Sequence, residues 1–343
     1  MRKLLNTLFV TSEGSYLSLE NENIVVQNGS ERKGQFPLAI LEGIICFSYK
    51  GASPALMGAC ADRGIQLCFM SPNGRFLARS IGQDRGNVLL RKHQYRISDD
   101  LVQSCLLARN LILGKVYNCR WILERGVRDH ALRLDADAVK RVSQQMAQQL
   151  PAIENAFDLD TLRGLEGEAS ARYFSVFDHL ILNQKDSFFF DGRNRRPPRD
   201  NVNALLSFAY TILANDCAAA LESVGLDSYV GFMHRDKPGR ASLALDLMEE
   251  LRGPLAERFV LTLINTRAIQ SAHFYRYPDG TVMLTEAGRK IFLNAWQDRK
   301  RETITHPYLK EKMYWGLIPY VQALLLSRHL RGDLDGYPTF FWK

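Results

Sequence analysis

The sequence lacks any uninterrupted apolar run of about 18 residues, the length a membrane-spanning helix requires. The opening stretch MRKLLNTLFVTSEGSYLSLE is interrupted by Asn6, Thr11, Ser12 and Glu13 before a secretory apolar segment could form, so a cytoplasmic location without membrane contact is expected. There is no CxxC pair. Cys46, Cys60, Cys68, Cys105, Cys119 and Cys217 are scattered, mostly in apolar runs such as GIICF and IQLCF, which argues for reduced core thiols and against a zinc centre. A Gly-rich phosphate loop and a dinucleotide-binding fingerprint are also missing, which removes P-loop and Rossmann chemistry. Neither repeats nor low-complexity segments occur.

What remains is an ordinary globular composition, 46% hydrophobic and 24% charged, in 343 residues, a length that suits two domains. Lys and Arg number 44 against 37 Asp and Glu, a net charge of +7 that favours a polyanionic partner.

The first 90 or so residues read as strands: TLFVTS, YLSLE, NIVVQ and FPLAILEGIICF, separated by turn residues, in what resembles an all-β unit. SPALMGACADRG interrupts them as one short helix, with Ser53 as N-cap and Pro54 at the first helical position. IQLCFM-SPNG-RFLARS reads as a hairpin turning at Asn73-Gly74. From about Gln94 the apolar period becomes helical, broken by RNRRPPR and by a small hairpin at Asp279-Gly280. The expected class is α+β: an N-terminal β domain over 1–92 and a larger α-helical domain over 93–343.

Carboxylates stand where the apolar pattern should forbid them. In RGLEGEASARYFSVFDHLIL the stripe Ala169, Tyr173, Val176 or Phe177, and Leu180 faces a core, and one turn back lies Glu166, expected to point inward at a helix N-terminus. Gly164 and Gly167 allow close approach beside it, whereas Glu168 falls off the stripe. An inward carboxylate needs a cation, a proton or a donor; the plainer account is stabilisation by first-turn amides. In SLALDLMEELR, Asp246 and Glu249 share a helix face, with Glu250 beside them, and such like charges repel unless something positive intervenes.

His234 precedes Asp246 by twelve residues, and Pro238-Gly239 can turn the chain back onto that helix. One imidazole with two or three carboxylates suits Mg²⁺ or Mn²⁺ better than a closed zinc site; a solvated loop histidine is the alternative. FFFDGRNRRPPRD sets Arg193, Arg195, Arg196 and Arg199 within seven residues, after the Glu166 helix. Arginine forks match phosphate oxygens, so this loop and Arg240 are phosphate-contact candidates, with a merely solvated basic loop as the alternative. His273, His306 and His329 lack nearby carboxylates at ligand spacing and read as structural.

Taken in order, LRGLEGEASARYF, RNRRPPRDNVNALLSFAYTIL, GFMHRDKPGRASLALDLMEELR, LTEAGRKIFLNAW and LSRHLRGDLDGYPTFFWK resemble the CRISPR-associated integrase, the first of the Cas proteins, along nearly the whole chain, and most of all its subtype I-C version. GIQLCFMSPNGRFLARS resembles that family's β domain. The resemblance implies a homodimer with one divalent metal site per helical domain, two such dimers gripping a dimer of a small ferredoxin-like second Cas protein in a heterohexamer. It implies insertion of short double-stranded DNA into CRISPR arrays by attack of a 3'-hydroxyl on a phosphodiester, and DNA cleavage when water attacks instead. By motif, the metal-ligating glutamate falls on Glu166, the histidine on His234 and the third carboxylate on Glu249, with Glu250 as second choice and Asp246 as an assisting neighbour. Two rivals remain: a non-catalytic DNA-binding scaffold whose carboxylates pair with arginines, and a small-nucleotide phosphodiesterase. Against the latter, Asp129-His130 and Asp178-His179 run opposite to an HD motif.

Overall fold

The computed structural model describes residues 6–72, 74–82, 88–194 and 197–343. Strands β1 (Thr7–Val10), β2 (Ser15–Glu20), β3 (Asn23–Asn28), β4 (Glu31–Pro37) and β5 (Gly43–Cys46) precede helix α1 (Pro54–Arg63), and β6 (Gln66–Met70) and β7 (Phe76–Ser80) follow it. β2, β3 and β4 form an antiparallel meander, whereas β1, β5 and β6 pair in parallel and β7 joins them antiparallel to β6. The expected all-β unit is therefore a mixed one: parallel pairing of β5 with β6 needs a crossover, and α1 supplies it. The Ser53 hydroxyl accepts from the backbone N–H of Leu56 and Pro54 opens the helix, as its sequence predicts. β6 and β7 form the expected hairpin; Asn73 of its turn lies outside the described residues, and Gly74 takes a φ of 81°.

β5 is buried on both faces. Ile44 and Cys46 join Leu17, Ile24 and Leu56 in a small core, whereas Ile45 and Phe47, one residue out of phase, point into the helical core. The strand is thus a wall shared by two cores. Arg79 of β7 adds an ion pair to Glu222 on the helical side.

The remainder is mainly helical: α2 (Val88–Asp99), α3 (Leu101–His130), α4 (Ala136–Glu154), α5 (Leu159–Ser175), α6 (Asn201–Ser223), α7 (Ser242–Leu251) and α8 (Arg258–Asn265), then the hairpin β8 (Phe274–Arg276) and β9 (Val282–Leu284), α9 (Glu286–Arg301), the pair β10 (Thr303–Thr305) and β11 (Lys312–Tyr314), and α10 (Ile318–Leu330). The class is α+β, as expected. Side chains of Asp100, Asp135, Asp158 and Asp200 accept first-turn N–H groups of α3, α4, α5 and α6, fixing where each begins. α6 is long and apolar enough to cross a membrane by length and composition, but most of it is buried as a core helix. Between α7 and α8 the chain widens into a π-helix over Arg252–Glu257. Pro254 has no N–H to donate there, and such widened turns often mark functional sites.

Candidate functional site

Glu166 lies in the third turn of α5. The helix begins seven residues earlier, just after Asp158, which accepts the N–H groups of Asp160 and Thr161, so the expectation of a position at the N-terminus is corrected and first-turn amides do not explain this carboxylate. The stripe behind it is buried as predicted, at Ala169, Tyr173, Val176, Phe177 and Leu180. Gly164 and Gly167 border open space: a Cβ on either would meet nothing within 4 Å. Glu168 turns aside to Gln149 and Arg172.

Asp246 of α7 is fully buried and organises the loop before it. Its carboxylate accepts the backbone N–H of Phe232 at 2.6 Å, of Met233 at 2.9 Å and of His234 at 3.0 Å, and faces the imidazole Nδ1 of His234 at 2.6 Å. Gly231 permits this approach, since a Cβ there would stand 2.8 Å from the Asp246 Oδ2. Burial opposes charge on His234, but the Asp246 hydrogen bond and charge outweigh it and raise its pKa. In the neutral ring a carboxylate at Nδ1 selects the Nδ1–H tautomer and leaves Nε2 as the available ligand atom.

Glu249, on the next turn, meets two cations. The Lys115 ammonium of α3 lies 2.7 Å from its Oε2, and the Arg252 guanidinium donates to Oε1 and Oε2 at 2.9 and 3.2 Å. Burial alone would raise this carboxyl; Arg252, Lys115 and His234 together hold it down to about 2. Lys115 also bonds Glu166, whose Oε1 takes a second hydrogen bond from Ser170 at 2.8 Å. Glu250 faces the other way. It accepts from Gln322 at 2.8 Å, from the backbone N–H of Phe340 at 2.8 Å and from the Tyr337 hydroxyl, pinning the C-terminal tail.

Lys115, Glu166, His234 and Glu249 line one cavity of about 910 Å³. Arg193 and Arg240 line it as well, Arg193 being braced by Asn203 at 2.6 Å and Ser207 at 3.1 Å. Arg199 is not brought there: it is exposed, and its carbonyl accepts from Arg276. Arg195 and Arg196 lie outside the described residues. Among the cavity residues that sequence reasoning left unassigned are Lys115, Arg163 and Arg252. Lys115 could have been found as a lysine inside the apolar run LILGKVYNC, on a helix face where Leu111, Ile112 and Cys119 are buried. Arg163 donates to the Met233 carbonyl at 3.0 Å, and Arg252 stacks over Tyr210 at 4.3 Å; neither contact leaves a mark in local sequence.

Among the described residues no three His, Cys, Asp or Glu side chains already close on one point. Glu166 and Glu249 converge instead on the Lys115 ammonium, which stands where a cation is held between two carboxylates. An imidazole and two hard oxygen donors around one partly exposed cavity fit Mg²⁺ or Mn²⁺. The six cysteines are buried and free, as expected. His306 is fully buried against Gln322 at 3.0 Å, a structural role.

Residues 8–298 match the family described as CRISPR associated protein Cas1. The chain is 50% identical to "CRISPR-associated endonuclease Cas1 2" of Rhodospirillum rubrum over 350 aligned positions and 45% identical to "CRISPR-associated endonuclease Cas1 1" of Chlorobaculum tepidum over 343, covering 100% of both chains in each case. Its fold is similar to a casposase bound to integration product (TM-score 0.84, 20% identity, 98% of this chain and 93% of that one). It is also similar to part of a Cas6-RT-Cas1–Cas2 complex (TM-score 0.80, 22% identity, 98% of this chain and 36% of that one). With a family match over most of its length and full-length relatives at half identity, the chain belongs to the CRISPR associated protein Cas1 family.

Proposed function

We propose that this protein is a divalent-metal-dependent DNA endonuclease and integrase that inserts short duplexes into CRISPR arrays, in the cytoplasm, in the manner of a subtype I-C system. The observation that carries this reading is the convergence of Glu166 and Glu249 on one cation in a cavity that His234 and several arginines also line. Glu166, His234 through Nε2, and Glu249 would hold Mg²⁺ or Mn²⁺. Bound there, the ion would supply charge to a phosphoryl oxygen and to the attacking or leaving oxygen. Asp246 orients His234. Arg193 and Arg240 contribute positive charge to DNA phosphates, and Arg252 keeps Glu249 ionised. Names of relatives and fold neighbours support DNA and a Cas2-type partner. A homodimer with its β domains over 1–92 at the dimer contact, and a heterohexamer with that partner, complete the reading.

One observation favours the scaffold alternative: both carboxylates already have basic partners. The deciding experiment incubates the protein and its small partner with a short duplex bearing free 3'-hydroxyls and a supercoiled array plasmid, with and without Mn²⁺. Metal-dependent joining, lost in Glu166→Gln and His234→Ala, supports the integrase. Joining retained in both variants places the site elsewhere, and DNA binding without joining supports the scaffold.

A further inference from the structure

Lys115 differs from every other cation in the cavity. Its ammonium is buried, and among the described residues its ion-pair partners are the carboxylates of Glu166 and Glu249. The arginines are each held by groups outside that pair as well, Arg252 included although it also bonds Glu249. Arg252 is stacked on Tyr210, Arg193 is braced by Asn203 and Ser207, and Arg163 is bonded to the Met233 carbonyl and to Asp160. Arg240 bonds Ser242. A change that neutralises Glu166 and Glu249 therefore leaves those arginines anchored and Lys115 without a partner.

Charge at this cluster is balanced. Glu166 and Glu249 contribute two negative charges, and Lys115 and Arg252 two positive ones, with Glu249 touching both cations. A second cation on the same oxygens at contact distance repels the ammonium strongly in a partly buried setting. An ammonium is a compact charge on a flexible four-carbon stem, so it can leave by rotamer change without moving α3. The cavity it lines, about 910 Å³, also carries Arg163, Arg193, Arg235, Arg240 and Arg252, cations that favour an anion there.

We propose that Lys115 is a displaceable counter-ion, held between Glu166 and Glu249 when the site lacks a divalent ion and turned onto a DNA phosphate when one binds. It thereby couples metal occupancy to DNA affinity. This rests on the metal site proposed above and adds a regulation of it. The coupling is reciprocal: whatever factor Mn²⁺ adds to DNA affinity, DNA adds to Mn²⁺ affinity.

The test measures Mn²⁺ affinity by titration calorimetry and the affinity of a short DNA duplex by anisotropy, in EDTA and in Mn²⁺, on the full-length protein. Lys115→Met should bind Mn²⁺ about tenfold more tightly, a size ordinary for coupled sites, and should lose most of the Mn²⁺-dependent gain in DNA affinity. A lysine that stayed in place would also oppose the metal by its charge, so the lost Mn²⁺-dependent gain in DNA affinity is the outcome that marks displacement onto a phosphate. Because Lys115→Met leaves Glu166 without its cation and Glu249 with Arg252 alone, a change that can impair folding, Lys115→Arg serves as a second variant. Its fork can grip both carboxylates, and it should weaken Mn²⁺ binding. Mn²⁺ affinity unchanged in Lys115→Arg, or unchanged or weaker in a folded Lys115→Met, overturns the proposal. Glu166→Gln separates the two readings. If it abolishes Mn²⁺ binding while the Lys115 variants do nothing, only the counter-ion fails; if wild type binds no Mn²⁺, the metal site and the counter-ion fail together.

Discussion

His234 Nδ1 lies 2.6 Å from Asp246 Oδ1, and the same carboxylate accepts the backbone N–H of His234 and of the two residues before it. One buried side chain thus fixes both the position of the histidine loop and the tautomer of its ring. The consequence for pH has a definite sign. Burial lowers the His234 pKa, Asp246 overrides it, and the net shift is upward. The charged pair therefore stabilises the fold below the unfolded histidine value of about 6.5, and that contribution is lost as pH rises through the higher folded value. The proposed ligation by His234 needs the neutral ring, so metal binding should gain over the same interval in which this stability is lost.

Asp246→Asn keeps the size of the side chain and removes the charge, leaving burial as the dominant influence. The midpoint of His234, followed by the NMR titration of its ring protons in metal-free protein, should fall below the ordinary histidine value. Metal-dependent cleavage should then persist to lower pH, at a reduced rate from a looser loop. An unmoved midpoint would mean that Asp246 does not set the protonation of this ring.

Glu249 and Glu250 are adjacent but serve different structures, which yields a paired prediction. Glu250→Ala orphans the Phe340 N–H and the Tyr337 O–H, while the Gln322 amide keeps the Tyr337 oxygen and the Pro338 carbonyl as acceptors. Each buried donor left unmet costs about 1–3 kcal/mol, so urea unfolding should show a loss of several kcal/mol. Burial raises the Glu250 carboxyl to about 7 against the hydrogen bonds that lower it. A folded pKa above the unfolded one means that this term favours folding at low pH and is lost as pH rises through about 7. The stability gap between wild type and Glu250→Ala should accordingly change between pH 5 and 8, as the wild type loses stability relative to the variant. Where it is folded, Glu250→Ala should bind Mn²⁺ within a few-fold of wild type, whereas Glu249→Gln should not bind it. The reverse pattern would assign the third ligand to Glu250.

How much of this was legible in the sequence depends on how local each cause is. Ser53-Pro54, the 66–80 hairpin and the inward stripe ending at Glu166 follow from capping, turn chemistry and the helical period, and all three stand in the structure. The parallel pairing of β5 with β6 was not legible, because a run of apolar residues does not state its partner. Nor was the separate orientation of Glu249 and Glu250. Glu250 is turned away by Tyr337 and Phe340, which lie 87 and 90 residues from it in the chain. Lys115 reads as an anomaly in α3, but its meaning needs α5 and α7 to arrive beside it. Arg252 owes its position to the π-helix that starts with it, a feature no residue pattern announced.

Arg240 gives the cleanest measure of phosphate contact, because it lines the cavity while its side chain makes a long 3.3 Å bond to the Ser242 hydroxyl. Arg193, by contrast, also holds the loop to α6, so its removal would confound binding with structure. If the cavity receives the DNA backbone, the logarithm of duplex affinity should fall linearly with the logarithm of salt, each neutralised phosphate contributing about −0.9 to the slope. Arg240→Ala should weaken binding uniformly across sequences and make the slope shallower by about one unit, with melting temperature little changed. A flat titration from low to physiological salt would exclude phosphate neutralisation as the basis of binding. A steep slope that Arg240→Ala leaves untouched would place the DNA track elsewhere on the surface.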